Sequence, residues 1–224
     1  MKIGIVVAMQ KELDPFLQGK SFSQEQIKNF TVYKFEMAGK QVFAVLPMSV
    51  GEICAASATQ MLITRYDVDA IINFGVVGAL TEQISLCSMM LVDSVVHHQM
   101  DTTAMGDELG RYNCFESRNI YTDRNLLALA KSVDPTLPLV RCASGDKFVD
   151  SATEKQFLHD TFGADICEME AAGITICCRL NDVPCLLVKV VSDSLTGGAG
   201  EFMENVHKAS ERFQGLVDKL LQVI

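Results

Sequence analysis

The chain has 224 residues, 49% of them hydrophobic, and this length fits one large α/β domain or two small ones with a substantial core. It contains no uninterrupted apolar run of about 18 residues, so we expect no membrane span. The formal net charge of −9 argues against a nonspecific nucleic-acid binder, because such proteins normally present a basic patch.

Strand and helix patterns alternate along the whole chain, without repeats or linker composition. The predicted strands are 2–8, 30–37, 41–47, 70–75, 88–98, 139–143, 165–169 and 185–191. The predicted helices are 9–17, 53–66, 123–132, 152–161, 171–180 and a long amphipathic helix over 200–224. This alternation predicts one domain over residues 1–224, in which a mixed sheet is flanked by helices.

Three segments between these elements carry features typical of ligand sites. The two glycines in the predicted turn 76–79 would let a ligand or another backbone approach closely, although the turn lacks the spacing and the lysine of a P-loop. The turn 144–150 holds Phe148, an aromatic side chain that could stack on a planar ring or plug the edge of the core. The polar loop 99–112 could form a lid or a subunit contact, and an ordinary surface excursion is its default interpretation.

Acidic side chains follow three of the predicted strands. Glu168 and Glu170 come at the end of one strand, and Asp193 closes another. Glu12 lies just beyond the first strand, where a solvated helix acid is the commoner interpretation. The other acids also have structural alternatives, as helix-dipole or capping residues. Ligands of open α/β sheets bind outside the carboxyl ends of the strands, so we expect the acids to converge on one crevice.

The eight cysteines form no C-x-x-C pair, and no histidine stands at zinc-ligand spacing. They resemble buried small hydrophobes in a reducing cytosol, so we expect a cytoplasmic protein. His97 and His98 are adjacent on a predicted strand and would point to opposite faces. We therefore expect neither a metal site nor a cofactor.

Six segments together resemble a known family. MKIGIVVAMQKEL, DAIINFGVVGAL, DTTAMG, SGDKFV, EMEAAG and VVSDS occur in the order and spacing of the bacterial 5'-methylthioadenosine/S-adenosylhomocysteine nucleosidases, within the purine nucleoside phosphorylase family. The similarity covers essentially the whole chain. It implies a three-layer α/β/α fold, a homodimer and cleavage of the bond between adenine and a 5'-thio-substituted ribose, as in methionine salvage.

The resemblance also implies roles for individual residues. Asp193 resembles the general acid that protonates the purine N7, and Glu12 the base that positions the attacking water. Glu170 resembles the acceptor for the ribose hydroxyls. For the adenine, the resemblance implies that Phe148 stacks on the ring, that the Val149 backbone reads its edge and that Ser192 lies beside the acid. For the sugar and the 5' substituent, it implies contacts from Met169, Val50, Phe202 and Met105, with Met105 coming from the partner subunit. Val76 and Lys189 are implied to lie near the water.

These roles suit the chemistry of a departing purine. Departure builds an oxocarbenium-like cation on the ribose, which nearby carboxylates stabilise. The purine leaves as an anion unless it is protonated. An acid beside N7 must therefore keep its proton at neutral pH, which the apolar strand before Asp193 could favour by excluding water.

Several positions depart from the family pattern. Val76 stands where the nucleosidases usually have serine near the water, Lys189 stands for an arginine and Met105 for a phenylalanine. The phosphorylases hold phosphate with a serine and a preceding arginine, and those positions are Val76 and Asn73 here, so hydrolysis is favoured over phosphorolysis. The alternatives are a nucleoside phosphorylase, a related nucleosidase such as one for aminodeoxyfutalosine, and a nucleoside-binding protein without turnover.

Overall fold

The structure is a computed structural model that describes residues 1–213 and 215–224. The strands are β1 Lys2–Val6, β2 Ser23–Ile27, β3 Phe30–Met37, β4 Lys40–Leu46, β5 Ala70–Ala79, β6 Met89–His97, β7 Ile120–Tyr121, β8 Leu139–Ser144, β9 Ile166–Glu168 and β10 Cys185–Asp193. The helices are α1 Gln10–Leu17, α2 Glu52–Met61, α3 Arg124–Val133, α4 Ala152–Phe162, α5 Ala171–Leu180, α6 Ala199–Ser210 and α7 Phe213–Val223. A π-helical turn, Leu62–Tyr66, extends α2.

All ten strands belong to one mixed sheet in the order β10-β6-β8-β9-β5-β1-β4-β3-β2, with β7 paired to β6. Strand β1 is parallel to both β4 and β5, and β5 is parallel to β10. Strand β10 also pairs antiparallel with β6, so β5, β10, β6, β8 and β9 close into a ring. The predicted mixed sheet is confirmed, and its closure is an addition that the strand patterns did not reveal.

Helices cover both faces of the sheet, as the three-layer prediction requires. On one face, α1, α3, α6 and α7 share a core with alternate strand residues such as Ile3 and Ile5. On the other face, α2 and α5 pack over Val6 and Ile71. The period-two alternation of apolar side chains in β1 therefore supplies both cores.

Two predicted element boundaries were wrong. Residues 76–79 do not form a turn but continue β5, where they pair with β10 and β9. The predicted long helix over 200–224 divides into α6 and α7. Ser210 at the break bonds its hydroxyl to the Val206 carbonyl, a local competition with helix continuation, and the new direction brings Phe213 into the core.

The polar strand β2 was also missed, because its sequence SQEQI has no apolar pattern. It pairs antiparallel with β3 at the edge of the sheet, where both of its faces carry polar side chains. The predicted hairpin between β3 and β4 is confirmed, and Ala38 and Gly39 take positive φ angles at its turn.

The Phe74 ring lies between Phe16 and Phe213, with ring centroids 5.2 Å away on each side, and is fully buried. We expect Phe74→Ala to lower the free energy of unfolding by about 3–5 kcal/mol, because it leaves a cavity between the two rings. Urea denaturation followed by circular dichroism measures this loss. Phe157→Ala on α4 is the control, since that side chain is 54% exposed and should change stability by no more than about 0.5 kcal/mol. Equal losses in the two variants would contradict the assignment of Phe74 to the core.

Candidate active site

A cavity of about 340 Å³ opens where β1, β4, β5, β8, β9 and β10 end. Most of its wall is apolar, and its polar groups are concentrated in a few side chains. The lining residues are Ala8, Met9, Glu12, Val50, Val76, Val77, Gly78, Lys147, Phe148, Val149, Cys167, Glu168, Met169, Glu170, Ser192, Asp193 and Phe202. Ten of the twelve positions predicted for the site therefore lie on one cavity, and Lys189 and Met105 do not.

Glu12 is buried at the start of α1, which contradicts its interpretation as a solvated helix acid. Its Oε1 accepts a hydrogen bond of 2.8 Å from the Val76 N–H, and its Oε2 accepts one of 3.0 Å from the Met9 N–H. Burial raises the pKa of Glu12 to about 7, although these two bonds and the Lys189 charge act in the opposite direction. Glu12 can therefore exchange a proton near neutral pH, as a general base must.

Glu170 stands immediately before α5 and faces the same cavity. Its Oε1 accepts a hydrogen bond of 2.8 Å from the Gly51 N–H. Burial and the neighbouring Glu168 charge raise the pKa of Glu170 to about 8, whereas Lys189 and the Gly51 bond lower it. This carboxyl can bind hydroxyl groups either as donor or as acceptor, depending on its protonation.

Lys189 does not line the cavity, and its predicted place near the attacking water stays a prediction. Its Nζ is 2.9 Å from Glu168 Oε2, and both side chains are buried. Burial alone would raise the pKa of Glu168, but the Lys189 ammonium holds it below its ordinary value. The lysine charge is thus already balanced within the protein, and it influences Glu12 and Glu170 from a distance.

Asp193 ends β10 and has charged and polar partners on both carboxyl oxygens. Lys155 Nζ lies 2.5 Å from Asp193 Oδ2, and the Ser192 hydroxyl donates to Asp193 Oδ1 at 2.8 Å. The strand before Asp193 is fully buried, as expected from its sequence. The lysine was not expected, and it means that Asp193 does not lie in purely apolar surroundings.

Aromatic rings form one side of the cavity. Phe148 and Phe202 meet edge to face, with centroids 5.4 Å apart and an interplanar angle of 75°. Phe148 is partly exposed, so its ring is available to a planar ligand. Val149 is buried beside it, and Val50 and Met169 complete the apolar wall. Cys167 lines the same cavity, with a thiol whose pKa burial raises to about 12.

Met105 lies outside this cavity, in a short 3-10 turn, and is 72% exposed. Its predicted approach from a partner subunit stays a prediction. Val76 does line the cavity, and its backbone rather than its side chain takes part in hydrogen bonding with Glu12. The glycines of β5 do permit close approach, because a Cβ added at Gly75 would lie 3.0 Å from Glu12 Oε1.

Sequence reasoning missed Lys155, although a signal was present. Lys155, Leu158 and Phe162 are the buried residues of α4, so the lysine occupies the apolar stripe of its helix at helical spacing. A lysine on such a stripe requires a buried acidic partner.

A larger open cleft of about 940 Å³ lies elsewhere, lined by residues of the segments 114–125 and 178–185. Its acids Glu116, Asp123 and Asp182 are not buried. We place the active site in the smaller cavity, because buried acids meet an apolar wall there and the acids of the larger cleft are not buried.

Several known proteins are similar to this chain over nearly its whole length. The family model described as the phosphorylase superfamily matches residues 2–222. A 5'-methylthioadenosine/S-adenosylhomocysteine nucleosidase of Shewanella pealeana is 30% identical to this chain, and the alignment covers 99% of each protein. An aminodeoxyfutalosine nucleosidase of Helicobacter pylori is 29% identical, and the alignment covers 98% of this chain and 99% of the relative. The crystal structure of a Helicobacter pylori methylthioadenosine/S-adenosylhomocysteine nucleosidase with butyl-thio-DADMe-Immucillin-A superposes with a TM-score of 0.94 at 28% identity, covering 100% of this chain and 99% of that chain.

The raised pKa of Glu170 predicts a pH-dependent stability difference. The folded protein keeps the Glu170 proton up to about pH 8, so its stabilising contribution is complete below about pH 4.5 and is lost as the pH rises towards 8. The glutamine of Glu170→Gln cannot ionise. The free energy of unfolding of the variant, minus that of the wild type, should therefore increase between about pH 5 and about pH 8. Urea denaturation at both pH values measures this gain.

Glu25→Gln is the matched control for that experiment. Surface partners, first among them Lys34, lower the pKa of Glu25 to about 2, so Glu25 stays ionised across the same interval. Its stability difference from the wild type should be the same at both pH values. A Glu170→Gln difference that is equally constant would show that Glu170 does not titrate in this interval.

Proposed function

The chain belongs to the phosphorylase superfamily, and from this membership and the cavity geometry we propose that it is an N-glycosyl hydrolase acting on 5'-methylthioadenosine, S-adenosylhomocysteine or both. The products are adenine and a 5'-thio-substituted ribose, and the reaction belongs to methionine salvage. The observation that carries the proposal is one apolar cavity in which Glu12, Glu170 and Asp193 meet beside the Phe148 ring. The names of the relatives support the substrate class.

Each acid has a distinct part in this reaction. Glu12, when ionised, takes a proton from the attacking water, since its pKa near 7 suits that exchange. Glu170 binds the ribose hydroxyls through its carboxyl group, which the hydrogen bond from the Gly51 N–H holds in the cavity. Asp193 gives a proton to the purine N7, so that the base leaves neutral.

The remaining residues of the cavity bind and orient the nucleoside. Phe148 stacks on adenine, the Val149 backbone reads its edge, and Ser192 holds the Asp193 carboxyl by its hydrogen bond. Met169, Val50 and Phe202 enclose the sugar and the 5' substituent, which suits a thioether better than a charged group.

Hydrolysis is favoured over phosphorolysis because the position that would hold phosphate offers no cation. Asn73 is buried, and its amide donates to the Val6 carbonyl at 2.9 Å. Val76 offers an apolar side chain at the same strand, and the Lys189 charge is balanced by Glu168. Water is therefore the nucleophile that this wall accommodates.

A cytoplasmic homodimer is the assembly we propose for this activity. Ile53 at the start of α2 is 75% exposed, and Met105 is exposed on the loop between β6 and β7. Apolar side chains so exposed suit a subunit interface. In the dimer, Met105 would complete the 5'-substituent pocket of the partner subunit. All eight cysteines are free, which suits a reducing compartment.

Aminodeoxyfutalosine is the second candidate substrate, supported by the 29% identical Helicobacter pylori relative that carries that name. Its adenosine portion would occupy the same acids and the same stacking ring. The two proposals differ only in the 5' substituent, so comparing release of adenine from the three nucleosides separates them.

The first test is release of free adenine from methylthioadenosine and S-adenosylhomocysteine by the purified protein, with and without phosphate. We expect release without phosphate, together with free thioribose. We expect Asp193→Asn to lower the rate by about 10²- to 10⁴-fold while the protein stays folded, because its amide cannot protonate N7. Phosphate-dependent release would identify a phosphorylase. Measurable binding without release in either buffer would identify a nucleoside-binding protein, and near-normal turnover by folded Asp193→Asn would refute its role as acid.

The pKa of Glu12 predicts the acid limb of the activity profile. Because the base must be ionised, kcat/KM should rise with pH through about 7. Glu12→Gln should lower the rate by about 10²- to 10⁴-fold above about pH 7 and should lose this acid limb. Adenine release measured between about pH 5 and about pH 9 checks both expectations. Glu116→Gln, at an exposed acid of the other cleft, should keep the wild-type profile. An unchanged acid limb in an active Glu12→Gln variant would exclude Glu12 as the base.

A further inference from the structure

Lys155 is a fully buried lysine whose three N–H groups all find acceptors. Its Nζ lies 2.5 Å from Asp193 Oδ2, 2.6 Å from the Ser194 carbonyl and 3.0 Å from the Gly197 carbonyl. The side chain is 0% exposed and extends from α4 to the segment that follows β10. Because each N–H group of the ammonium has an acceptor, the ammonium is fixed at one position behind Asp193.

The ammonium lies behind the carboxyl as seen from the cavity. Asp193 and Ser192 line the cavity, whereas Lys155 does not. Gly78 leaves room for the pair, because a Cβ there would lie 2.8 Å from Asp193 Oδ2 and 3.4 Å from Lys155 Nζ. Lys155 can therefore reach a bound nucleoside only through Asp193.

The other ionisable groups near Lys155 do not compete for its charge. Cys167 on β9 is close to the pair, but burial raises its pKa to about 12, so it is neutral. Glu154, the neighbour of Lys155 on α4, is paired with Lys147, and Glu201 on α6 accepts a hydrogen bond from the Ser194 N–H. Asp193 is consequently the acid whose oxygen lies within hydrogen-bond distance of the buried ammonium.

We propose that Lys155 is a positioning residue for the acid step: it holds the Asp193 carboxyl towards the leaving base and stabilises the carboxylate that remains after proton transfer. In this step the O–H bond of Asp193 breaks and an N–H bond forms at the purine N7. The electron pair of the glycosidic bond moves into the purine, which leaves as a neutral base. The lysine keeps its own proton throughout, and the new carboxylate is paired as soon as it forms.

This inference rests on the proposed function, since it assigns Lys155 a part in the step given to Asp193. The ammonium lies against the carboxyl oxygen Oδ2, so it stabilises the negative charge that proton transfer leaves on Asp193. Removing the ammonium should thus slow turnover of substrates whose leaving base must be protonated. A lysine that only braced the 194–197 segment would slow all substrates alike.

The test compares Lys155→Met with Lys155→Arg in adenine release. For Lys155→Met we expect kcat to fall by about tenfold or more with KM changed by less than about threefold. Lys155→Arg keeps the charge and should keep most of the wild-type kcat. Lys20→Met is the control, because Lys20 likewise pairs with an acid, Asp218, and a carbonyl, that of Phe16, but far from the cavity.

A second substrate separates acid chemistry from bracing. A riboside with a nitrophenolate leaving group departs without protonation, so its turnover should be nearly equal in wild type and Lys155→Met. Equal losses on both substrates would overturn the proposal. If Lys155→Met does not fold, Lys155→Gln replaces it, since its amide can still donate to the Ser194 and Gly197 carbonyls.

Adenine release by the wild-type protein distinguishes failure of this inference from failure of the proposed function. A wild-type protein that releases no adenine would refute the proposed function. A wild-type protein that releases adenine, together with a Lys155→Met variant that is equally slow on both substrates, would refute the part assigned to Lys155.

Discussion

The ion pair between Lys189 and Glu168 lies at the wall of the cavity, which Glu168 lines and Lys189 does not, and the state of the surrounding acids depends on it. Removing a carboxylate from water costs several kcal/mol unless a partner compensates for it. Lys189 compensates Glu168 at 2.9 Å, so this acid stays ionised although it is buried. The same positive charge also lowers the pKa values of Glu12 and Glu170, but burial outweighs it and raises them to about 7 and about 8. One lysine thus separates an always-charged acid from two that can exchange protons near neutral pH.

The same pair is tied to the two helices that cover this face of the sheet. The Ser144 hydroxyl lies 2.5 Å from Glu168 Oε1 and also bonds to Glu52, at the start of α2. A hydroxyl has one proton to donate, so one of the two carboxyls must supply the other proton. Glu52 is that carboxyl, because burial and the Glu168 charge raise its pKa to about 8. Glu52 in turn accepts from the Gly173 N–H of α5, so protonation in the network and helix position are linked.

Local patterns in the sequence predicted the parts of this structure that depend on neighbouring residues. Apolar periodicity located most strands and helices, and the acids that follow strands led to the cavity. The extension of β5 through Ala79 depends on pairing with β10 and β9, which are distant in sequence, so no local pattern revealed it. The burial of Glu12 also depends on a residue distant in sequence, because its carboxyl accepts a hydrogen bond from the Val76 N–H of β5. Lys155 is a sharper case, because its acidic partner is 38 residues away.

Cys167 shows what the low polarity of this cavity means for covalent ligands. Its sulfur lies at the cavity wall close to the acids, within reach of an electrophilic inhibitor bound in the cavity. Yet alkylation requires a thiolate, and a thiol whose pKa is about 12 forms almost none at neutral pH. An acrylamide or chloroacetamide placed in this cavity should therefore remain unreacted. Ligands for this protein must gain affinity from stacking and from hydrogen bonds to the acids, and slow dissociation must come from fit alone.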